Sequence, residues 1–293
     1  MTSNLGISAG SLHALSKILS NAGIQRIMLD ENFRSSGNQI KRLLKKSGVS
    51  LDQKCTLGEM IEYAHAHLLK NYRHEYLYKA ALLNDYILKN HSLVDSILLN
   101  EFRVGQSKAD AVLVNGTNKV FEIKTELDNP GRLASQINDY YKAFSEVFLI
   151  VHHTHYEKYL SLIDEGVGLM LFNDNSIEIA RPAVPDNSNL DTITMMKALR
   201  KNEFLVVVKA LSGELPNVKP ILLFKSCLEI LRQFAPDEVQ AEFLSVIKGR
   251  INLFVSDVVT SAKLPESLKL SLYYSNINRN EYISLVKRLD YQF

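Results

Sequence analysis

Apolar residues recur at two different spacings along the chain, and the change from one to the other divides it. Within residues 11–19 they recur every third or fourth position, the spacing of one face of an α-helix. A second stretch of this kind begins at Ile40. Residues 120–124 instead alternate apolar and charged side chains, as a half-buried strand does. From Asp191 onward the helical spacing returns.

The middle of the chain combines helical and strand patterns. Asn115-Gly116, a dipeptide typical of tight hairpin turns, separates two of the strands. The predicted elements, in chain order, are a helix over 74–89, strands over 96–104, 109–114 and 120–124, a helix over 132–145, a strand over 147–151, a helix over 156–163, and small strands near 169 and 177. The sequence therefore predicts an α/β region with the order helix, three strands, helix, strand.

Residues 180–189 predict a linker, since they contain two prolines and several polar residues without periodicity. We therefore expect three parts: an N-terminal helical region over 1–70, an α/β core over 71–182 and a C-terminal helical domain over 190–293. If the protein has a protein partner, we expect the C-terminal helices to bind it.

Composition narrows the class of protein without naming a function. The chain has 293 residues, 46% of them hydrophobic, which is ordinary for a soluble globular protein. A formal net charge of +2 does not by itself indicate nucleic-acid binding. Two distant cysteines form no zinc-binding pattern, and no apolar stretch is long enough to span a membrane. We expect a cytoplasmic protein that does not enter the membrane.

Three charged residues of the predicted hairpin form the strongest candidate for a catalytic site. Glu122 and Lys124 are two positions apart on one strand and so share a face of the sheet. Asp110 lies on the preceding strand, across the turn. Two carboxylates can bind a divalent cation, and a nearby lysine can stabilise charge during phosphodiester hydrolysis. Because Lys124 ends its strand, we expect it to be partly exposed.

The helix that follows adds Gln136 and Tyr140, which are four positions apart and share a helix face. Arg132 lies one turn earlier on the same side. We expect these side chains to hold the lysine, the attacking water or the backbone of a nucleic acid.

These residues, in this order of elements, resemble the PD-(D/E)xK nuclease superfamily and, within it, a bacterial family of nuclease-like proteins. The resemblance covers about residues 73–175. It implies a restriction-endonuclease-like αβββαβ core that binds Mg²⁺ or Mn²⁺. The implied metal ligands are Asp110, Glu122, the carbonyl of Ile123 and an upstream glutamate, either Glu101 or Glu75. We prefer Glu101, because its strand adjoins that of Asp110.

The resemblance also implies an activity. It makes Asp110, Glu122, Lys124 and Gln136 catalytic in a metal-dependent nuclease, with DNA a better candidate substrate than RNA and with repair or defence against foreign DNA as the setting. Ala109 stands where the literal motif has proline. Two alternatives remain open: the site is silent and the protein only binds nucleic acid or protein, or the charges are solvent-facing residues of an amphipathic hairpin.

Two further groups of residues bear on binding. Lys41, Arg42, Lys45 and Lys46 are spaced so that the first and third, and the second and fourth, share a side of a helix, where they could bind phosphates. His153 and His155 stand at the end of a strand, and we interpret them as ordinary loop histidines rather than metal ligands.

Overall fold

Six strands form one open sheet whose spatial order follows the order of the chain. The computed structural model describes residues 9–29, 32–261, 264–275 and 277–293. The strands are β1 (Ile97–Val104), β2 (Ser107–Val114), β3 (Asn118–Lys124), β4 (Glu146–His152), β5 (Gly168–Asn173) and β6 (Ser176–Arg181). Together with its many helices, this sheet makes the protein a mixed α/β protein, as the sequence predicted.

The first three strands form an antiparallel meander, and β3, β4 and β5 run parallel. The predicted hairpin of the strands over 109–114 and 120–124 is confirmed, because Ala111 pairs with Phe121 and Val114 with Asn118. The turn takes three residues, 115–117, rather than two. Its central Gly116 has φ +98°, a conformation that side-chain-bearing residues rarely adopt.

Helices precede, interrupt and follow the sheet. Their bounds are α1 (Ala9–Ile18), α2 (Asn21–Leu29), α3 (Phe33–Lys46), α4 (Leu57–Asn71), α5 (Glu75–Ala81), α6 (Leu88–Asn90), α7 (Leu133–Tyr140), α8 (Tyr156–Leu160), α9 (Thr192–Ala198), α10 (Lys201–Ser212), α11 (Leu223–Leu231), α12 (Pro236–Lys248), α13 (Leu253–Thr260), α14 (Glu266–Tyr273) and α15 (Arg279–Leu289). A π-helical segment, Leu82–Ile87, joins α5 to α6. No helix in the described part of the chain is long and apolar enough to cross a membrane.

The chain folds into two compact units. One, here the helical unit, comprises the described residues up to Asn90, Asn173–Ile177 and the described residues from Asn252. The other, the sheet unit, comprises His91–Phe172 and Glu178–Ile251. The three predicted segments, 1–70, 71–182 and 190–293, do not coincide with these units. Residues 1–8, 30, 31, 262, 263 and 276 of those segments lie outside the described residues.

The predicted segments differ from the observed units because helices that follow the predicted linker pack into the same buried core as the sheet that precedes it. Met195, Phe204 and Phe243, from α9, α10 and α12, share one buried cluster with Val112 and Leu149 of the sheet. The linker itself is also bound to this unit. The backbone N–H of Asp186 donates to the carbonyl of Ser145 at 2.9 Å, and that of Asp191 to the carbonyl of Lys142 at 2.9 Å.

Within the helical unit, α3 is held between neighbouring helices and the end of the chain. It packs against α1, α2 and α4. The backbone N–H of Phe293 donates to the carbonyl of Cys55 at 2.9 Å, and Thr56 forms a β-bridge with Gln292. Gly37 of α3 lies against the ring of Phe293, so close that an added Cβ would meet the ring at 2.1 Å. The chain end therefore fixes the position of α3.

Candidate active site

The register of β2 and β3 brings the two predicted acidic residues together. Ala111 is paired with Phe121, so the next position in the same register joins Asp110 to Glu122. The backbone pairing of β2 with β3 ends at Ala111 and Phe121. At the next position, the Oδ2 atom of Asp110 accepts a hydrogen bond from the backbone N–H of Ile123 at 2.7 Å. The carboxylate of Asp110 thus takes the place of a main-chain partner at the point where the ladder stops.

Glu122 is the centre of a hydrogen-bonded network. It is only 2% exposed. Its Oε1 atom accepts from the Nζ of Lys124 at 2.7 Å and from the Nε2 of Gln136 at 2.6 Å. Its Oε2 atom accepts from the hydroxyl of Tyr140 at 2.5 Å. A buried carboxylate is stable only when it is paired and hydrogen-bonded, and here both oxygens are.

Lys124 lies inside this network rather than at the surface. Its ammonium donates to Glu122 and also to the Oε1 of Gln136 at 3.0 Å. The residue is 8% exposed, so the expectation that its place at the end of a strand leaves it partly exposed is wrong. The reason is α7, which covers this end of the strand with Gln136. The interpretation of Glu122 and Lys124 as solvent-facing charges is wrong for the same reason.

Tyr140 is fully buried and fixes one side of Glu122. Its hydroxyl also lies 3.2 Å from the carbonyl of Lys108. Burial raises the pKa of Tyr140 above its ordinary value, and the neighbouring carboxylates of Glu122 and Asp110 raise it further. The phenol therefore stays protonated and acts as a hydrogen-bond donor. Its place is within the carboxylate network rather than on an exposed binding surface, whereas Arg132 is exposed at the start of α7.

Asp139, a further acidic residue, positions α7 and was not recognised in the sequence. It is 8% exposed and accepts from the hydroxyl of Ser107 at 2.8 Å and the backbone N–H of Gln106 at 3.1 Å. Lys142 contacts its other oxygen at 2.7 Å. Burial raises the pKa of Asp139, but Lys142 and the hydrogen bonds outweigh this and lower it overall. Nothing in the sequence distinguishes Asp139 from a solvent-facing helical acid.

The register of β1 and β2 places Glu101, the predicted upstream ligand, across from Asp110. Its neighbours Asn100 and Phe102 pair with Ala111 and Ala109. Glu101 has φ +53°, which is strained for a residue with a side chain. Its carboxylate lies 2.8 Å from the Nζ of Lys108, and both side chains are about half exposed, at 52% and 50%. A role as metal ligand stays a prediction.

The donor set of the site is oxygen only, which suits Mg²⁺ or Mn²⁺. Asp110 and Glu122 each place carboxylate oxygens at this site, and these oxygens accept the hydrogen bonds described above. Among the described residues, no group of three or more His, Cys, Asp or Glu side chains is arranged to hold a metal. The carboxylates of Asp110 and Glu122 have the chemistry that a hard divalent cation prefers, but two carboxylates are fewer than such a group of three.

The remaining predicted residues lie elsewhere. Lys41, Arg42, Lys45 and Lys46 are on α3 in the helical unit. His153 is exposed and His155 is half-buried in a short 3₁₀ turn after β4. The alternative Glu75 lies at the start of α5, where it is 2.5 Å from the Nζ of Lys79.

Fold and site together define a mixed α/β protein with a buried network of carboxylate, lysine, glutamine and tyrosine on an open sheet. The chain belongs to the family of bacteriophage P4 protein cII, which matches residues 69–272. That range contains the whole sheet and every residue of the network, and it excludes α3.

Two proteins similar to this chain extend the comparison. Protein cII of Enterobacteria phage P4 is 22% identical over 188 residues, which are 62% of this chain and 69% of the phage protein. A protein of unknown function from Silicibacter pomeroyi is 17% identical over 41% of this chain and 81% of its own. Its TM-score of 0.28 is too low to support an argument from structure.

Proposed function

We propose that the protein is a metal-dependent nuclease of the PD-(D/E)xK type, acting in the cytoplasm and with DNA as its preferred substrate. The observation that supports this most is the buried Glu122–Lys124–Gln136–Tyr140 network beside Asp110. An ion pair that only stabilises a fold gains little from burial. A buried ion pair next to a second carboxylate is the arrangement that phosphodiester hydrolysis needs.

Each side chain has a distinct task in this proposal. Asp110, Glu122 and the carbonyl of Ile123 would hold Mg²⁺ or Mn²⁺, which when bound lowers the pKa of water and polarises a phosphate. Gln136 holds the Nζ of Lys124 at 3.0 Å. Among the described residues Lys124 makes two hydrogen bonds, so a third N–H can be donated to the attacking water or to a phosphate oxygen.

Tyr140 acts on Glu122 rather than on the substrate. Because its pKa is raised, its hydroxyl donates to Glu122 at any pH near neutrality. This fixes the rotamer of Glu122 and leaves its charge in place. Catalytic electrostatics depend on groups whose orientation is set before the reaction, and Tyr140 supplies that orientation from the core.

The experiment is incubation of the full-length protein with single-stranded, duplex and branched DNA, and with RNA, in Mg²⁺ or Mn²⁺. We expect cleavage that Asp110→Asn abolishes and that Lys124→Ala lowers about 10²–10³-fold. The matched control is Lys119→Ala, on the same strand as Lys124, which breaks a partly buried ion pair of 2.5 Å with Glu146 of β4. Cleavage that persists in Lys124→Ala would mean that this site is not responsible.

One observation favours a second candidate, a silent member of the same fold that binds nucleic acid or protein without cutting. Both oxygens of Glu122 are already engaged by side chains of this chain, so a metal must compete with Gln136, Lys124 and Tyr140. Calorimetry with Mn²⁺ separates the two candidates. Binding that weakens in Asp110→Asn supports the nuclease, and no binding with nucleic-acid affinity intact supports the silent protein.

A further inference from the structure

The side of α3 that faces away from its buried residues carries a regular array of cations. Arg34, Asn38, Lys41 and Lys45 stand at positions i, i+4, i+7 and i+11 and so share one face of the helix. Arg42 and Lys46 lie beside them and are exposed. We call this set the α3 face. Between Arg34 and Lys46 it extends about 18 Å at 1.5 Å per residue. Its C-terminal half borders a shallow open depression of about 460 Å³.

Within α3 itself, no acidic side chain balances the cations of the α3 face. The helix contains no acidic residue. Two other helical lysines of the described chain do pair with an acid one turn earlier, Lys79 with Glu75 and Lys89 with Asp85. On α3 the i,i+4 pairs are instead of like charge, Lys41 with Lys45 and Arg42 with Lys46. Each such pair costs a helix roughly 0.2–0.5 kcal/mol.

Helix electrostatics explain only part of this pattern. Cations are favourable in the last turn of a helix, which accounts for Lys45 and Lys46. Arg34 lies in the first turn, where a cation is unfavourable, and is placed over the ring of Tyr291 at 4.8 Å. Lys41 and Arg42 lie between the two ends. A row that tolerates these costs points to an anionic ligand.

We propose that the α3 face is a docking surface for the phosphate backbone of duplex DNA. B-DNA carries one negative charge for about every 1.7 Å of its axis, so a straight row of this length meets several phosphates. The row is rigid, because Gly37 packs against Phe293 and the opposite side of α3 is buried through Ile40, Leu43 and Leu44.

The character of the face distinguishes duplex DNA from other anions. No large apolar side chain of α3 is among the exposed ones of the described chain, so the helix has no apolar surface to insert into a lipid headgroup layer. Single-stranded nucleic acid is usually held by aromatic stacking as well as charge. The aromatic rings nearest the α3 face, Phe33 and Tyr291, are in contact with each other and with Arg288 and Arg34.

The proposal is independent of cleavage, and its test uses conditions in which cleavage cannot occur. The affinity of the full-length protein for a short labelled DNA duplex is measured in EDTA over a series of KCl concentrations. The logarithm of the association constant K falls as log [KCl] rises, and each phosphate contact contributes about −0.9 to the slope. In the variant Lys41→Ala/Arg42→Ala/Lys45→Ala/Lys46→Ala, we therefore expect a shallower slope, with a magnitude about 3–4 smaller than in the unaltered protein.

A control variant removes the same charge from the sheet unit. Lys201, Lys209, Lys219 and Lys225 are all exposed. Their fourfold replacement by alanine should leave the slope unchanged. A third variant, Lys41→Arg/Lys45→Arg/Lys46→Arg, keeps the charge and should keep the binding, which separates loss of charge from misfolding.

Several results would overturn the proposal. One is an equal decrease, in the two fourfold alanine variants, in the magnitude of the slope of log K against log [KCl], because it would show a general effect of net charge. Another is competition by polyglutamate as effective as that by unlabelled duplex, which would favour an acidic protein partner. Binding to phosphatidylserine vesicles that is stronger than binding to duplex, and lost in the α3 variant, would favour a membrane surface.

Discussion

The candidate active site and the α3 face use the same kinds of side chain in opposite environments. Lys124 is 8% exposed and donates to Glu122 and Gln136. Lys45 is exposed on a helix without acids. A buried, paired charge is fixed in orientation and suits chemistry, whereas exposed, unpaired charges attract a polyanion and adapt to it. The contrast separates a site that would act on a phosphate from a surface that would only hold one.

The largest effect should follow from breaking the buried pair. Glu122→Ala leaves the ammonium of Lys124 buried without its carboxylate, so the free energy of unfolding should fall by about 3–5 kcal/mol. Urea denaturation measures this. Lys45→Ala on the α3 face should change stability by at most about 0.5 kcal/mol. Similar losses in both variants would remove the contrast.

The next largest effect should be a loss of cleavage rate in Lys124→Ala. If the proposed nuclease function holds, the variant removes a fixed positive charge from the site of phosphate cleavage, and cleavage should drop about 10²–10³-fold. Affinity for the DNA duplex in EDTA should change little, because the α3 face is intact. Single-turnover cleavage and anisotropy on the same preparation test both statements. A large loss of affinity would place Lys124 in binding rather than catalysis.

His65 is a third kind of basic group, which is buried like Lys124 but has no ion pair with an acid among the described residues. Burial and the nearby His74 lower the pKa of His65 from 6.5 to about 4. Its Nε2 has no hydrogen-bond partner among the described residues. The unfolded chain then binds the proton more readily, so stability is complete above pH 6.5 and is lost as the pH falls from 6.5 towards 4.

That loss is on the order of 3 kcal/mol at pH 4. Denaturation series between pH 7 and 4 should show it. His65→Gln should flatten the dependence, whereas replacement of the exposed His153 by glutamine should not. An unchanged pH profile in His65→Gln would mean that another group is responsible.

A further prediction concerns the residues that support the α3 face. Gly37→Ala places a methyl group where the Phe293 ring lies, which should destabilise the protein by about 1–3 kcal/mol through overpacking. Phe293→Leu in the same chain should recover part of the loss, and thermal denaturation compares the variants. A neutral Gly37→Ala would show that the chain end does not fix α3.

The sequence alone determined features that depend on local spacing. The turn signal at Asn115-Gly116 and the strand character of the residues on both sides of it predicted the β2–β3 hairpin, and with it the neighbourhood of Asp110 and Glu122. The four-residue spacing of Gln136 and Tyr140 placed both on the face of α7 that contacts Glu122. Helical spacing likewise revealed the cations of α3. Periodicity encodes these features because neighbours in the chain share a face.

Tertiary structure alone decided what depends on distant segments. The burial of Lys124 comes from α7 closing over the end of β3, and the place of Asp139 comes from the turn between β1 and β2. The two units likewise draw on both ends of the chain, since α9–α12 join the sheet and α13–α15 join the N-terminal helices. Apolar faces show only that a helix must be covered, and not which partner covers it.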